Sequence, residues 1–324
     1  MERGDEAIPA LLTLLAVTAA ATCQMAPADR AWLDRSLVEW TRVEQQQLHL
    51  TGSPIPTFIT ADSKCAYTAR GGRLPLGWSS APHEGTIKLP DGTSLPVGVA
   101  SFAAPGVDQS TPYFVMTLPS VWRAGGVTST LGLDQLMTGA MLHELSHARQ
   151  FAEVGPILAR LEGQRGLPNP LSDDSLQETF EKDPAYLAAY EQEMKALFSA
   201  ALDPDPLRAK TKARQGFALL DARQARWLSA NDGAWAEADR LFLGMEGLGQ
   251  WLMYRHVAAG KARPDRAADL AAVIATRRGG KYWSQDEGLA MMLVLDRFNP
   301  RWSDHQAADR PTLLLALAKA AVAH

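Results

Sequence analysis

The amino-acid sequence predicts an α+β protein, with an N-terminal helix and a small mixed sheet ahead of a largely helical C-terminal part. Three observations carry this reading. Up to about residue 127, Pro and Gly punctuate short β-prone runs; beyond it, apolar residues recur at helical spacing in one segment after another. The first of those helical segments contains His143-Glu144-Leu145-Ser146-His147, two histidines at i and i+4. The 324 residues are 46% hydrophobic and 21% charged, which gives room for one large core or two subdomains. A formal net charge of -4 offers no electrostatic reason to expect nucleic acid. The densest basic run, residues 208–214, reads as the solvated face of a helix.

Taken in order, residues 8–21 form an apolar run too short to span a bilayer, ending in small residues before a polar, Pro-containing segment. This is the pattern of a secretory signal peptide or N-terminal anchor over residues 1–26. It implies export, periplasmic or secreted, with no other stable membrane span. Glu2, Asp5 and Glu6 against Arg3 depart from the basic start such signals carry. Cys23 and Cys65 are the two cysteines; in an exported chain they could pair, or Cys23 could be lipidated. Residues 31–50 place Trp32, Leu33, Leu37, Trp40, Val43 and Leu48 on one helical face. Strand signals follow at 57–60, 85–89 and 111–118, and the turn Pro90-Asp91-Gly92-Thr93 suggests a hairpin between 86–89 and 95–100. Helical periodicity covers 132–154, 184–201, 207–230, 234–259, 266–277, 282–298 and 312–323, with breaks where Pro, Gly, Asn and Asp cluster.

On a helix, His143 and His147 stand one turn apart on one face, so both imidazoles can reach a single ion. The Glu144 carboxylate, beside the first ligand, can take a proton from a water that the ion activates. Zn²⁺ suits this role, because three protein ligands leave a fourth position open. The third ligand decides the class. A metzincin would continue with Gly at 150 and His at 153, but this chain has Gln150 and Glu153. His256 and His305 remain possible, and Glu178, Glu181, Glu191 and Glu193 are rival carboxylates. Glu246 stands out, because it interrupts an apolar stretch of Leu241, Phe242, Leu243, Met245, Leu248, Trp251 and Leu252. A charge buried there needs a metal or an opposite charge, an arginine being the bland alternative. Gly247 and Gly249, unfavourable inside a helix, mark a place where a neighbouring backbone comes close, and the metal helix is the expected neighbour.

Together, His143-Glu144-Leu145-Ser146-His147 and Glu246-Gly247-Leu248-Gly249-Gln250-Trp251 resemble the gluzincin arrangement of the peptidase MA clan, whose second helix commonly reads E-G-x-A-x-[YW]. The likeness covers the metal helix and the second helix, and nothing before about residue 140. Gly249 stands where Ala is usual, and the long separation of the two motifs implies a helical insertion at about 155–233. The resemblance implies a zincin-like fold and a zinc metallopeptidase cleaving a peptide or protein substrate. His143, His147 and Glu246 would hold Zn²⁺, with Glu144 as general base. It further implies that Gln250 accepts the outer N–H of a ligating histidine and that Tyr282 stabilises the oxyanion. By the same analogy, 111–118 would be the sheet edge along which an extended peptide pairs. Glu287-Gly288-Leu289-Ala290 repeats the ligand signature superficially and reads as helix surface. Two alternatives stand beside this: a catalytically inactive zincin-fold protein that binds metal or a partner, and a helical interaction protein whose Glu246 points away from both histidines.

Overall fold

The computed structural model describes residues 23–50, 54–106, 111–164, 166–258, 266–305 and 307–323. The apolar run at 8–21 lies outside the described residues. Helix α1 (Pro27–Gln46) starts with Pro in its first turn and buries Trp32, Leu33, Leu37, Trp40 and Val43, the face its spacing anticipates. It stops before residue 50, where His49 takes a left-handed φ of 51°.

The strands are β1 (Thr57–Ala61), β2 (Cys65–Ala69), β3 (Trp78–Pro82), β4 (Thr86–Lys88), β5 (Ser94–Pro96), β6 (Ser101–Pro105) and β7 (Pro112–Met116). Five of them form a mixed sheet in the order β3-β2-β1-β7-β6, in which only β1 and β7 run parallel. β4 and β5 make the anticipated hairpin as a separate ribbon. Cys23 and Cys65 form a disulfide, which ties the segment before α1 to β2.

One expectation for the sheet is corrected. Residues 111–118 do not form an edge: β7 is hydrogen-bonded on both sides, to β1 and to β6. Tyr113, Phe114, Val115 and Met116 are all buried, the run of consecutive apolar residues that a strand covered on both faces requires. The edge strands are β3 and β6, and β6 is the one beside β7.

Ten α-helices lie among the described residues, and α2 (Pro119–Ala124) leads from the sheet to α3 (Leu133–Glu162). Helix α3 passes the expected end at 154 and runs through Pro156. Losing one backbone hydrogen bond there is offset by Val154, Ile157, Leu158 and Leu161, which pack against Ala234, Ala238, Leu241 and Phe242. Then come α4 (Ser175–Phe180), α5 (Pro184–Leu202), α6 (Pro206–Trp227), α7 (Ala234–Ala258), α8 (Leu270–Thr276), α9 (Trp283–Phe298) and α10 (Pro311–Ala323). Asp183 and Asp205 cap α5 and α6, each accepting two backbone N–H groups ahead of a Pro at the first helical position. One continuous core joins Trp40 of α1, Phe114 of β7, Leu142 of α3, Leu248 of α7 and Leu295 of α9, so the two expected subdomains share an interior. No helix among the described residues is long and apolar enough to cross a membrane.

Two contacts fix α7, the helix that carries Glu246, among its neighbours. Helices α7 and α9 meet at glycines: a Cβ on Gly247 would stand 2.7 Å from the carbonyl oxygen of Gly288. Close by, Arg223 of α6 is fully buried among three acids, reaching Glu193 of α5 at 2.8 Å, Asp239 of α7 at 3.4 Å, and Glu287 of α9. Glu287 is therefore not on a helix surface, as its sequence context suggests, but in the interior. Burial holds its carboxyl well above the usual carboxylate range, even with Arg223 opposing.

Candidate metal centre

The buried faces of α3 and α7 bring the two halves of the sequence motif together. His143 Nε2 lies 3.1 Å from Glu246 Oε2, His147 Nε2 lies 3.2 Å from Glu246 Oε1, and the two Nε2 atoms are 2.8 Å apart. The rings are nearly perpendicular, at 86°, with both Nε2 atoms turned toward the same point. Two imidazole lone pairs facing each other at this distance repel unless a proton or a cation sits between them. Ligand atoms around a tetrahedral Zn²⁺ with bonds of about 2.0–2.1 Å stand about 3.3 Å apart, so this triangle fits a small divalent ion with little adjustment.

The electrostatics agree with that geometry. Burial alone would lower the pKa of His147, but Glu246 beside it, with smaller contributions from Glu144 and Gln150, pushes it up to about 9. Burial would raise Glu246; His147 and His143 outweigh it and hold the carboxyl well below its ordinary range. Carboxylate and imidazole thus favour each other's charged forms, and a cation held by the same atoms would compete with the imidazole proton.

Glu144 opens toward a cleft of about 410 Å³ that contains His143 as well. Burial raises its pKa, the two histidines partly opposing, and its Oε2 accepts the Ala103 N–H of β6 at 3.2 Å. The general-base candidate is therefore fixed to an edge strand of the sheet, β6. From that side Ala100 and Ser101 line the cleft; Gln250 of α7, Arg278 and Gln285 line the other.

Two sequence-level assignments around the metal group look different in the structure. Gln250 donates from Nε2 to Gln285 Oε1 at 2.7 Å, and its buried carbonyl oxygen has no partner among the described residues, so it accepts nothing from a histidine. Gln150, three residues beyond His147 on α3, donates to the Ala308 carbonyl at 3.3 Å, and its own carbonyl oxygen and His147 Nδ1 are both buried without a partner among the described residues. Tyr282 caps α9 with a left-handed φ of 58°, and it is not among the residues that line the cleft. Its ring lies 5.1 Å from the guanidinium of Arg278, which does line it. Among the rivals for the metal, Glu193 is committed to Arg223, and His256 lies 3.3 Å from Glu39.

Sequence reasoning missed Arg278 and Asp173. Asp173 follows α3 in a loop, and its carboxyl is pushed up to about 7 by burial and then by neighbouring Glu246 and Asp174. Neither residue belongs to a motif, and only the folded chain shows what each stands beside.

Gly249, the departure from the usual Ala, has a steric explanation. A Cβ there would stand 2.6 Å from His143 Nδ1 and 2.7 Å from its Cγ, because the imidazole rests directly on the α7 backbone. Gly247, by contrast, meets α9 and not the metal helix. Gly249→Ala is expected to tilt the His143 ring and weaken zinc binding about 10- to 100-fold, the range seen when ligand orientation is disturbed. Competition with a chromophoric chelator measures this, and unchanged affinity would mean that the ring has room to move.

Comparison with protein-family models, curated proteins and solved structures finds no match to this chain.

Proposed function

We propose that the protein is a zinc-dependent hydrolase of gluzincin type, with a zincin-like fold, that cleaves peptide bonds outside the cytoplasm. The observation that carries this reading is the convergence of His143, His147 and Glu246, from helices about a hundred residues apart in the chain, next to a carboxylate that faces a cleft. A structural ion pair would account for Glu246 and one histidine. It would not account for Glu144 turned into the cleft beside them.

His143, His147 and Glu246 would hold the ion, which when bound acidifies water and polarises a carbonyl. Glu144 takes the proton of the attacking water and passes it to the leaving amine nitrogen. Its raised pKa suits it to both halves of that transfer. The Ala103 N–H keeps one carboxylate oxygen in place. Because β6 is an edge strand, its outward main-chain groups other than the Ala103 N–H could pair with an extended substrate, a mode of binding that is independent of side-chain sequence. The Cys23–Cys65 disulfide supports an oxidising compartment and hence export.

Metal analysis is the direct test. Wild-type protein dialysed against zinc should retain one equivalent and hydrolyse a quenched-fluorescent peptide library. Chelation should abolish the activity and zinc should restore it, while Glu246→Ala should lose the metal on dialysis. Wild-type protein with no stoichiometric metal would end this reading.

A further inference from the structure

We infer that Arg278 recognises a carboxylate on the substrate, and that the cleft takes short peptides or N-acyl amino acids by their free C-terminal carboxylate. The inference rests on the proposed hydrolase function and names the substrate class of that same site.

The cleft is poor in charge. Apart from His143 and Glu144 of the candidate centre, Arg278 is the one ionisable side chain among the described residues that lines it, and the walls include Val99, Val127, Leu136 and Met253. Its guanidinium forms no ion pair among the described residues, and no aspartate is part of the lining. Neighbouring Arg277 makes the contrast: it pairs with Asp286 at 3.3 Å and lies over the Phe198 ring at 4.2 Å, in a separate cavity. Arg278 is exposed to solvent where it lines the cleft, so its unpaired guanidinium is free to receive an anion, and its planar fork matches a carboxylate in two-point contact.

Arg278 is also held in place. Its backbone N–H donates to Asp286 Oδ1 at 2.7 Å, and Asp286 is itself buried on α9. The Tyr282 ring lies against the guanidinium and can steady it without taking up its N–H donors. The intervening turn uses left-handed backbone at Gly279, Gly280 and Tyr282, which returns the chain sharply to α9. At about 410 Å³ the cleft lies near the small end of ligand pockets, about 300–1,000 Å³, and suits a short ligand over a long chain segment. The same volume holds His143, Glu144 and Arg278, so a ligand engaging the centre with its reacting carbonyl has its C-terminal end within the reach of this side chain.

Calorimetric titration of the zinc-loaded full chain with mercaptoacetyl-Leu-Ala, as the free acid and as the C-terminal amide, tests this directly. The thiol engages the metal in both, and only the terminal group differs. Wild type should bind the acid at least about tenfold more tightly than the amide, Arg278→Gln should bind both equally, and Arg278→Lys should keep part of the preference. Equal affinities in the wild type would overturn the inference, as would a preference that survives Arg278→Gln or a zinc-loaded chain that binds neither compound. A chain that takes up no zinc would overturn the hydrolase reading, and this inference with it.

Discussion

Glutamine in place of Glu144 is expected to lower peptide hydrolysis by about 10²- to 10⁴-fold, the contribution of a positioned general base, while one equivalent of zinc stays bound. The amide keeps the shape of the carboxylate but cannot take a proton from water or deliver one to the departing nitrogen. The side chain is not among the three converging ligands, so metal content should not change. The loss belongs in kcat more than in KM, because the interaction is made with a moving proton and not with bound substrate. Full activity in a zinc-loaded Glu144→Gln protein would remove the proposed base and favour a centre that only binds metal or a partner. The Ala103 hydrogen bond makes the comparison a strict one, since the Gln carbonyl oxygen can still accept that N–H and hold the side chain in place.

Replacing Arg223 by Leu is expected to destabilise the protein by about 3–5 kcal/mol, the cost of stranding buried charges by removing their partner. One guanidinium serves Glu193, Asp239 and Glu287 and also donates to the Tyr186 hydroxyl at 2.7 Å, so four helices depend on it. The loss should also depend on pH. With the cation gone, the buried acids can relieve their repulsion only by keeping protons in the folded state, so their folded pKa values lie above the unfolded ones. The folded variant then binds more protons than its unfolded chain. Its stability is greatest below the unfolded carboxylate range and falls as pH rises through the elevated folded values. Urea unfolding of wild type and Arg223→Leu at pH 5 and pH 8 should show the wider gap at pH 8. A gap of under about 1 kcal/mol at both pH values would mean that the four helices do not depend on this cluster.

Much of the centre was legible in the sequence, for local reasons. Two histidines a turn apart announce themselves wherever helical periodicity surrounds them, and Glu246 is conspicuous because a charge in an all-round apolar helix demands an explanation. The α1 face, the β4–β5 hairpin and the helical spans of α5 and α6 were equally local. What stayed hidden depended on partners far along the chain. Glu287 resembles a surface residue until Arg223, 64 positions earlier, is seen beside it. The edge strand β6, Ser-Phe-Ala-Ala-Pro, carries a weaker signal than β7, and only the strand order shows which of the two is free. Arg278 is one of many arginines in the sequence. The cleft alone distinguishes it, and the cleft is a property of four helices and a sheet edge together.

The glycine contact between α7 and α9 sets a fixed gauge. Where two backbones touch with no side chains between them, there is no cushion to compress or swell, and the helices keep their separation whatever the cleft contains. One helix carries Glu246, and the other carries the aspartate that tethers the Arg278 turn. The span from candidate ion to candidate anion receptor is thus written into main chain. Changes to the apolar walls would alter which side chains are tolerated, but the length of ligand that fits would stay the same.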